Sequence, residues 1–94
     1  MPKHKIPRCV RFNPGVTYFK PRGIPLRLLE EVVLLPDEVE AMKLYEVDGL
    51  DQTKAAKKMK VSQPTFARIL ASANKKVSEA LIKGKAIRIE KKLL

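Results

Sequence analysis

Two helix starts placed almost back to back constrain this chain more than any other feature. Asp51 suits the N-cap of a short helix, Gln52–Met59, and Ser62 that of a long one, about Gln63–Lys83, stopped by Gly84. So little chain separates them that the helices must cross steeply, which leaves few choices for the residues in contact. Ala55 and Ala56 offer a small surface for close approach, Met59 closes the first helix onto a core, and Val61 plugs the turn. Phe66, Ile69, Leu70, Ala73, Val77, Ala80 and Leu81 recur at helical spacing on the second helix, and Leu50 can seal the pair against a preceding one. Gln52–Ile69 therefore reads as a helix-turn-helix. Lys60 stands where such a turn favours glycine, because φ there is often positive. Pro64 is tolerated only in a first helical turn, so the Ser62 hydroxyl must take its bond from Thr65.

The rest of the chain is organised around that pair. A preceding helix can be capped by Asp37, with Glu40 reaching back; Val39, Met42, Leu44 and Val47 have helical spacing and Gly49 ends it. Five of the seven prolines fall within residues 1–30, which read as arm, turn and short extended pieces. Asn13-Pro14-Gly15 suits a turn, with Val10 and Phe12 before it and Val16 and Tyr18 after it alternating as hairpin strands would. Glu31–Leu35 reads as extended and is closed by Pro36. Lys85–Glu90 alternates as a closing strand that can pair with the N-terminal extended region. The expected fold is mainly α: a three-helix domain over 31–84, one or two short strands at the ends, a basic proline-rich arm over 1–30, and a short strand with a basic tail over 85–94.

Charge is segregated along the 94 residues, whose formal net charge is +10. Met1 to Leu29 holds seven bases and no acid, Glu30 to Asp51 eight acids and one base, and Gln52 onward twelve bases against Glu79 and Glu90. Such basic ends on a small domain call for a polyanionic partner, nucleic acid being the commonest. Glu38, Glu40 and Glu46 are expected to form a solvated face turned away from it, or else a surface for a neighbouring subunit's basic arm. The longest apolar run, Val32–Leu35, is far short of the ~20 residues of a membrane span, and no secretory signal is visible. One cysteine, Cys9, fits a reducing cytosol, so a cytoplasmic location is expected. Cys9 and His4 are too few ligands for a structural zinc, so no metal or other cofactor is expected. With one histidine and no glycine-rich loop, nothing points to an enzyme.

The stretches Leu34–Ala41, Gly49–Gln52, Ala55-Ala56 and Val61–Leu70 resemble the promoter-reading region four of bacterial sigma factors. With Val16–Pro21 and Gly84–Ile89 added, nearly the whole chain resembles uncharacterised protein family 0251 (domain of unknown function 134), small prokaryotic proteins predicted to bind DNA. The resemblance implies a sigma-region-four-like helix-turn-helix and a duplex-DNA partner; it supplies no target.

In such a motif the second helix enters the major groove tip first. Gln63, Thr65, Ala67, Arg68 and Ser72 face away from the apolar stripe and are the expected base readers, Gln63 suiting adenine and Arg68 guanine. Gln52, Lys54, Lys57, Lys58, Ser62, Lys75 and Lys76 are placed for phosphates. Lys3, Lys5, Arg8 and Arg11 either enter a minor groove or form a loose tail, the tail being favoured. The expected protein is a DNA-binding transcriptional regulator, as a homodimer joined through Val77, Leu81 and Leu93–Leu94. Its rivals are non-specific or RNA binding, a protein-interaction module, and metal sensing through His4 and Cys9.

Overall fold

Pro36 sets where the first helix starts. Its fixed φ and missing N–H suit the first helical position, so α1 runs Pro36–Met42 with Leu35, not Asp37, as its N-cap. Glu38, rather than Glu40, reaches back, and its carboxylate accepts the Leu35 N–H at 2.8 Å. The expected Asp37 cap lies two residues too late, because Pro36 was read as closing the extended segment and not as opening the helix. The structure, a computed structural model, describes residues 8–91.

After α1 the chain widens into a π-helical turn, Lys43–Val47, in which the Asp48 N–H reaches back five residues to the Lys43 carbonyl at 2.8 Å. The extra residue in that turn shifts the phase of everything behind it. Val47 is consequently 78% exposed, although its spacing predicted a place in the core, while Leu44 is buried.

Helices α2, Gln52–Met59, and α3, Gln63–Lys83, have the expected bounds. Asp51 accepts the Lys54 N–H and Ser62 the Thr65 N–H, as the sequence requires. Phe66 and Met59 are the largest fully buried side chains, and around them close Ala41, Leu44, Ala55, Ala56, Ile69 and Leu70, with Leu50 and Val61 packed at the margin. Two alanines side by side on α2 let the helix axes approach closely enough for Phe66 to fill the space between them. Leu81, the last residue of the expected stripe on α3, is 74% exposed.

Among the described residues, three short strands form one sheet in the order β1-β3-β2: β1 is Tyr18–Phe19, β2 Glu31–Leu34 and β3 Ala86–Ile89. Strand β3 runs antiparallel to β1, with Tyr18 opposite Arg88, and parallel to β2, with Val32 opposite Ile87. The closing strand thus pairs with the N-terminal extended region as predicted, but with two strands of it. The expected hairpin is absent: Val10 and Phe12 lie in no strand. The backbone that would have paired there is spent elsewhere, since the Arg11 and Phe12 N–H groups both donate to Glu40 Oε1, at 3.0 and 2.7 Å. Phe19, Ile87 and Ile89 of the sheet, with Met42 and Val77, border an open apolar groove of about 440 Å³. No helix among the described residues is long and apolar enough to cross a membrane.

Candidate nucleic-acid interface

Two backbone hydrogen bonds shape the turn between α2 and α3. Lys60 adopts the left-handed conformation, φ 59° and ψ 44°, and ends α2 in the position glycine usually takes. The Lys60 N–H donates to the Lys57 carbonyl and the Val61 N–H to the Ala56 carbonyl, each at 3.1 Å, which is the bond pattern of a Schellman cap. Ser62 then opens α3: its hydroxyl accepts the Thr65 N–H at 3.2 Å and donates to Thr65 Oγ1 at 2.9 Å. Pro64 needs no partner in that first turn, and the tip of α3 is fixed at Gln63.

The five expected base readers do not share one environment. Arg68 is exposed and engaged by no other described residue. Gln63 is exposed, but its amide oxygen accepts the Thr53 hydroxyl at 3.3 Å, so a two-pronged contact with adenine would have to break that bond. Thr65 and Ala67 are half-buried, with Thr65 drawn into the cap. The Ser72 hydroxyl is turned to α1, donating to Glu38 Oε2 at 2.6 Å.

Pro64, Arg68, Ala71 and Lys75 follow one another at helical spacing and are all exposed, so they form the outward ridge of α3. Of these, Pro64 was read only for its backbone, and Ala71 was not singled out. Their spacing from Arg68 was the available signal, and apolar contact with a thymine methyl needs no more than such a surface.

The expected phosphate residues divide likewise. Lys54, Lys57 and Lys58 lie on the side of α2 opposite the buried Ala55, Ala56 and Met59, and with Lys75 they are exposed and in no ion pair among the described residues. Gln52 is half-buried, and Ser62 is committed to the cap. Lys76 is turned inward, its ammonium 2.8 Å from both Glu38 Oε1 and the Val33 carbonyl oxygen.

The acids explain why the cations stand unopposed. Glu38 and Glu40, expected on a solvated face, are each 4% exposed, whereas Glu46 does face solvent. Burial would raise the Glu38 carboxyl, but hydrogen bonds from the Leu35 N–H, Lys76 and Ser72 outweigh it and hold the group below the usual carboxylate range. Eight of the ten acidic residues are engaged within the fold, by Lys or Arg, by backbone N–H groups, or both. From Gln52 to Ser78 there are seven bases and no acid, and among the described residues only Lys76 of the seven is ion-paired.

The N-terminal arm is no loose tail from Arg8 onward. Arg8 lies 3.6 Å from Asp37, and the Arg11 guanidinium meets Cys9 Sγ at 3.3 Å, which raises its already high pKa. Lys3, Lys5, His4 and Leu93–Leu94 lie outside the described residues.

A family model described as "Protein of unknown function DUF134" matches residues 1–92. The chain belongs to that family. It is 58% identical over 90 residues to a UPF0251 protein of Moorella thermoacetica, covering 96% of this chain and 60% of that protein. To a UPF0251 protein of Caldanaerobacter subterraneus it is 54% identical over 90 residues, covering 96% of this chain and 76% of the relative. The chain thus spans less than two thirds of the Moorella relative's length. No solved structure matches it. In this DUF134 chain the matched region takes in the α2–α3 surface and all three strands described above.

Proposed function

We propose that the chain is a duplex-DNA-binding protein, a sequence-specific transcriptional regulator of the prokaryotic cytoplasm. In this reading α2 and α3 act as a helix-turn-helix like that of sigma region four, and α3 enters the major groove tip first. One observation carries it: from Gln52 to Ser78 the α2–α3 surface has seven bases and no acid, and its cations are, Lys76 apart, left without acidic partners among the described residues, while eight of the ten acids are engaged within the fold. Lys54, Lys57, Lys58 and Lys75 are the phosphate contacts, and the N-terminal end of α3 adds its own positive dipole end. Arg68 is the principal base reader, with Pro64, Ala67 and Ala71 beside it as small apolar surface. Its planar fork suits guanine O6 and N7, a pairing worth ~1–3 kcal/mol of discrimination. The protein binds rather than catalyses in this reading.

Dimerisation through the C-terminal half of α3 is part of the same proposal, on the 74% and 85% exposure of Leu81 and Ile82. The test is selection from a random duplex pool at near-physiological salt, followed by sequencing of the bound fraction. An inverted repeat with half-sites about one helical turn apart is the expected result. A single enriched site removes the dimer and keeps the reader. Binding without enrichment, or preference for RNA, overturns sequence-specific regulation.

A further inference from the structure

Three backbone N–H groups of the N-terminal segment donate to the domain. The Cys9 N–H caps the Met59 carbonyl at the end of α2, at 2.9 Å. Two residues on, the Arg11 and Phe12 N–H groups close on one oxygen of the buried Glu40. These bonds bring Arg11 and Asn13 to the same cleft as Lys58 of α2. The cleft holds about 320 Å³ and is also lined by Glu40, Lys43 and Asp48. Its three cations outnumber its two carboxylates: Asp48 pairs with the Lys43 ammonium at 2.8 Å, and Glu40, which accepts the two backbone N–H groups, faces the charges of both Arg11 and Lys58 across the cleft. A guanidinium, a side-chain amide and an ammonium are each donors suited to phosphate oxygens.

We infer that this cleft grips the phosphate backbone of the duplex beside the groove that α3 enters, through Arg11, Asn13 and Lys58. The inference rests on the duplex-binding reading of α2 and α3, and adds to it a second contact built from a distant part of the chain. A loose basic tail would lose conformational freedom on binding; a segment already held by its backbone loses far less. The contact is therefore part of the free protein's surface and needs no ordering step.

The test is the salt dependence of binding to a random-sequence duplex of about 30 base pairs, three helical turns. Arg11→Ala should flatten the plot of log affinity against log salt by about one and weaken binding several-fold, as Lys58→Ala should. Arg11→Lys should restore the slope, since it keeps the charge. Arg27→Ala, which removes an exposed arginine outside the cleft, should leave it unchanged. Thermal midpoints of all four variants should stay at the wild-type value. A wild-type slope in Arg11→Ala, or an equal loss in Arg27→Ala, overturns the cleft and leaves the duplex reading standing. A wild-type protein without affinity for the duplex overturns both.

Discussion

The ammonium of Lys76 lies 2.8 Å from Oε1 of Glu38, a carboxylate only 4% exposed. Through the same carboxylate run the bonds to Ser72 and to the Leu35 N–H, so one side chain ties the first turn of α1 to the middle of α3. Lys76 also reaches the Val33 carbonyl, which adds β2 to the junction. Lys76→Met leaves a buried charge short of its partner, and should lower unfolding free energy by about 1–3 kcal/mol in urea titrations. Ser72→Ala, which removes one of several donors, should cost about 1 kcal/mol. Loss of DNA affinity with unchanged stability in Lys76→Met would instead make this lysine a phosphate contact.

The pH dependence of stability follows from the same group. Glu38 is held below its ordinary value of 4.5 in the folded protein, so the unfolded chain binds its proton first as pH falls. The stabilisation is fully present well above pH 4.5 and is lost as pH drops through the lowered folded value. Glu31, bonded by the Tyr18 hydroxyl and by Arg88, and Glu79, bonded by Lys85, shift in the same direction. Thermal melts between about pH 6 and pH 3 should therefore show a falling midpoint in the wild type. Glu38→Gln should start lower and fall less steeply, keeping only the part due to the other two. Parallel curves would mean that Glu38 is not held below its ordinary value.

Lys60 carries the one positive φ among the described non-glycine residues. A side chain in that conformation costs roughly 1–2 kcal/mol against the ordinary helical one, and glycine escapes the penalty. Part of the gain is returned through the greater freedom of glycine in the unfolded chain. Lys60→Gly should thus stabilise by about 0.5–1 kcal/mol, a rise of several degrees in melting temperature for a domain this size. Since Lys60 is an exposed cation beside the turn, the same change should weaken duplex binding slightly at low salt. A lowered melting temperature would show that the lysine side chain contributes more to the turn than its backbone costs.

What was legible in the sequence is what local rules decide. Asp51, Ser62 and Gly84 fixed the limits of α2 and α3 because each acts on backbone groups within a few residues of itself. Ala55, Ala56 and Phe66 were readable as core because the short turn leaves them no other neighbour. The fates of Glu38 and Glu40 were not readable. Apart from the local Leu35 N–H on Glu38, their partners lie 34 and 38 residues downstream in one case, and 28 and 29 upstream in the other, and nothing near a carboxylate announces such a meeting. The hairpin failed for the same reason. The alternation around Asn13-Pro14-Gly15 is real, but Glu40 competes for the backbone, and β1 finds its partner in β3. On the candidate interface, the exposure of Arg68, Lys54, Lys57, Lys58 and Lys75 followed from charge and spacing, whereas the inward turn of Ser72 and Lys76 was not readable because Glu38 was taken to lie in water.

On the proposed docking, Arg68 and Lys57 separate reading from holding. Arg68 stands on the outward ridge of α3 between Pro64 and Ala71, and Lys57 on the exposed side of α2; neither is engaged by another described residue. A base-edge contact discriminates between sequences, so its loss should be felt on the preferred site and hardly at all on others. A phosphate contact is blind to sequence, so its loss should weaken every duplex alike and lower the salt slope by about one. Arg68→Ala should accordingly cost ~1–3 kcal/mol on a selected site and relax preference at one position, with a near-normal slope on random duplex. Lys57→Ala should leave the ratio of specific to random binding as it was. Competition titrations against both duplexes at several salt concentrations measure all four quantities. Equal loss of preference from the two changes would mean that α2, not α3 alone, lies against the bases, and the docking would have to be turned to suit.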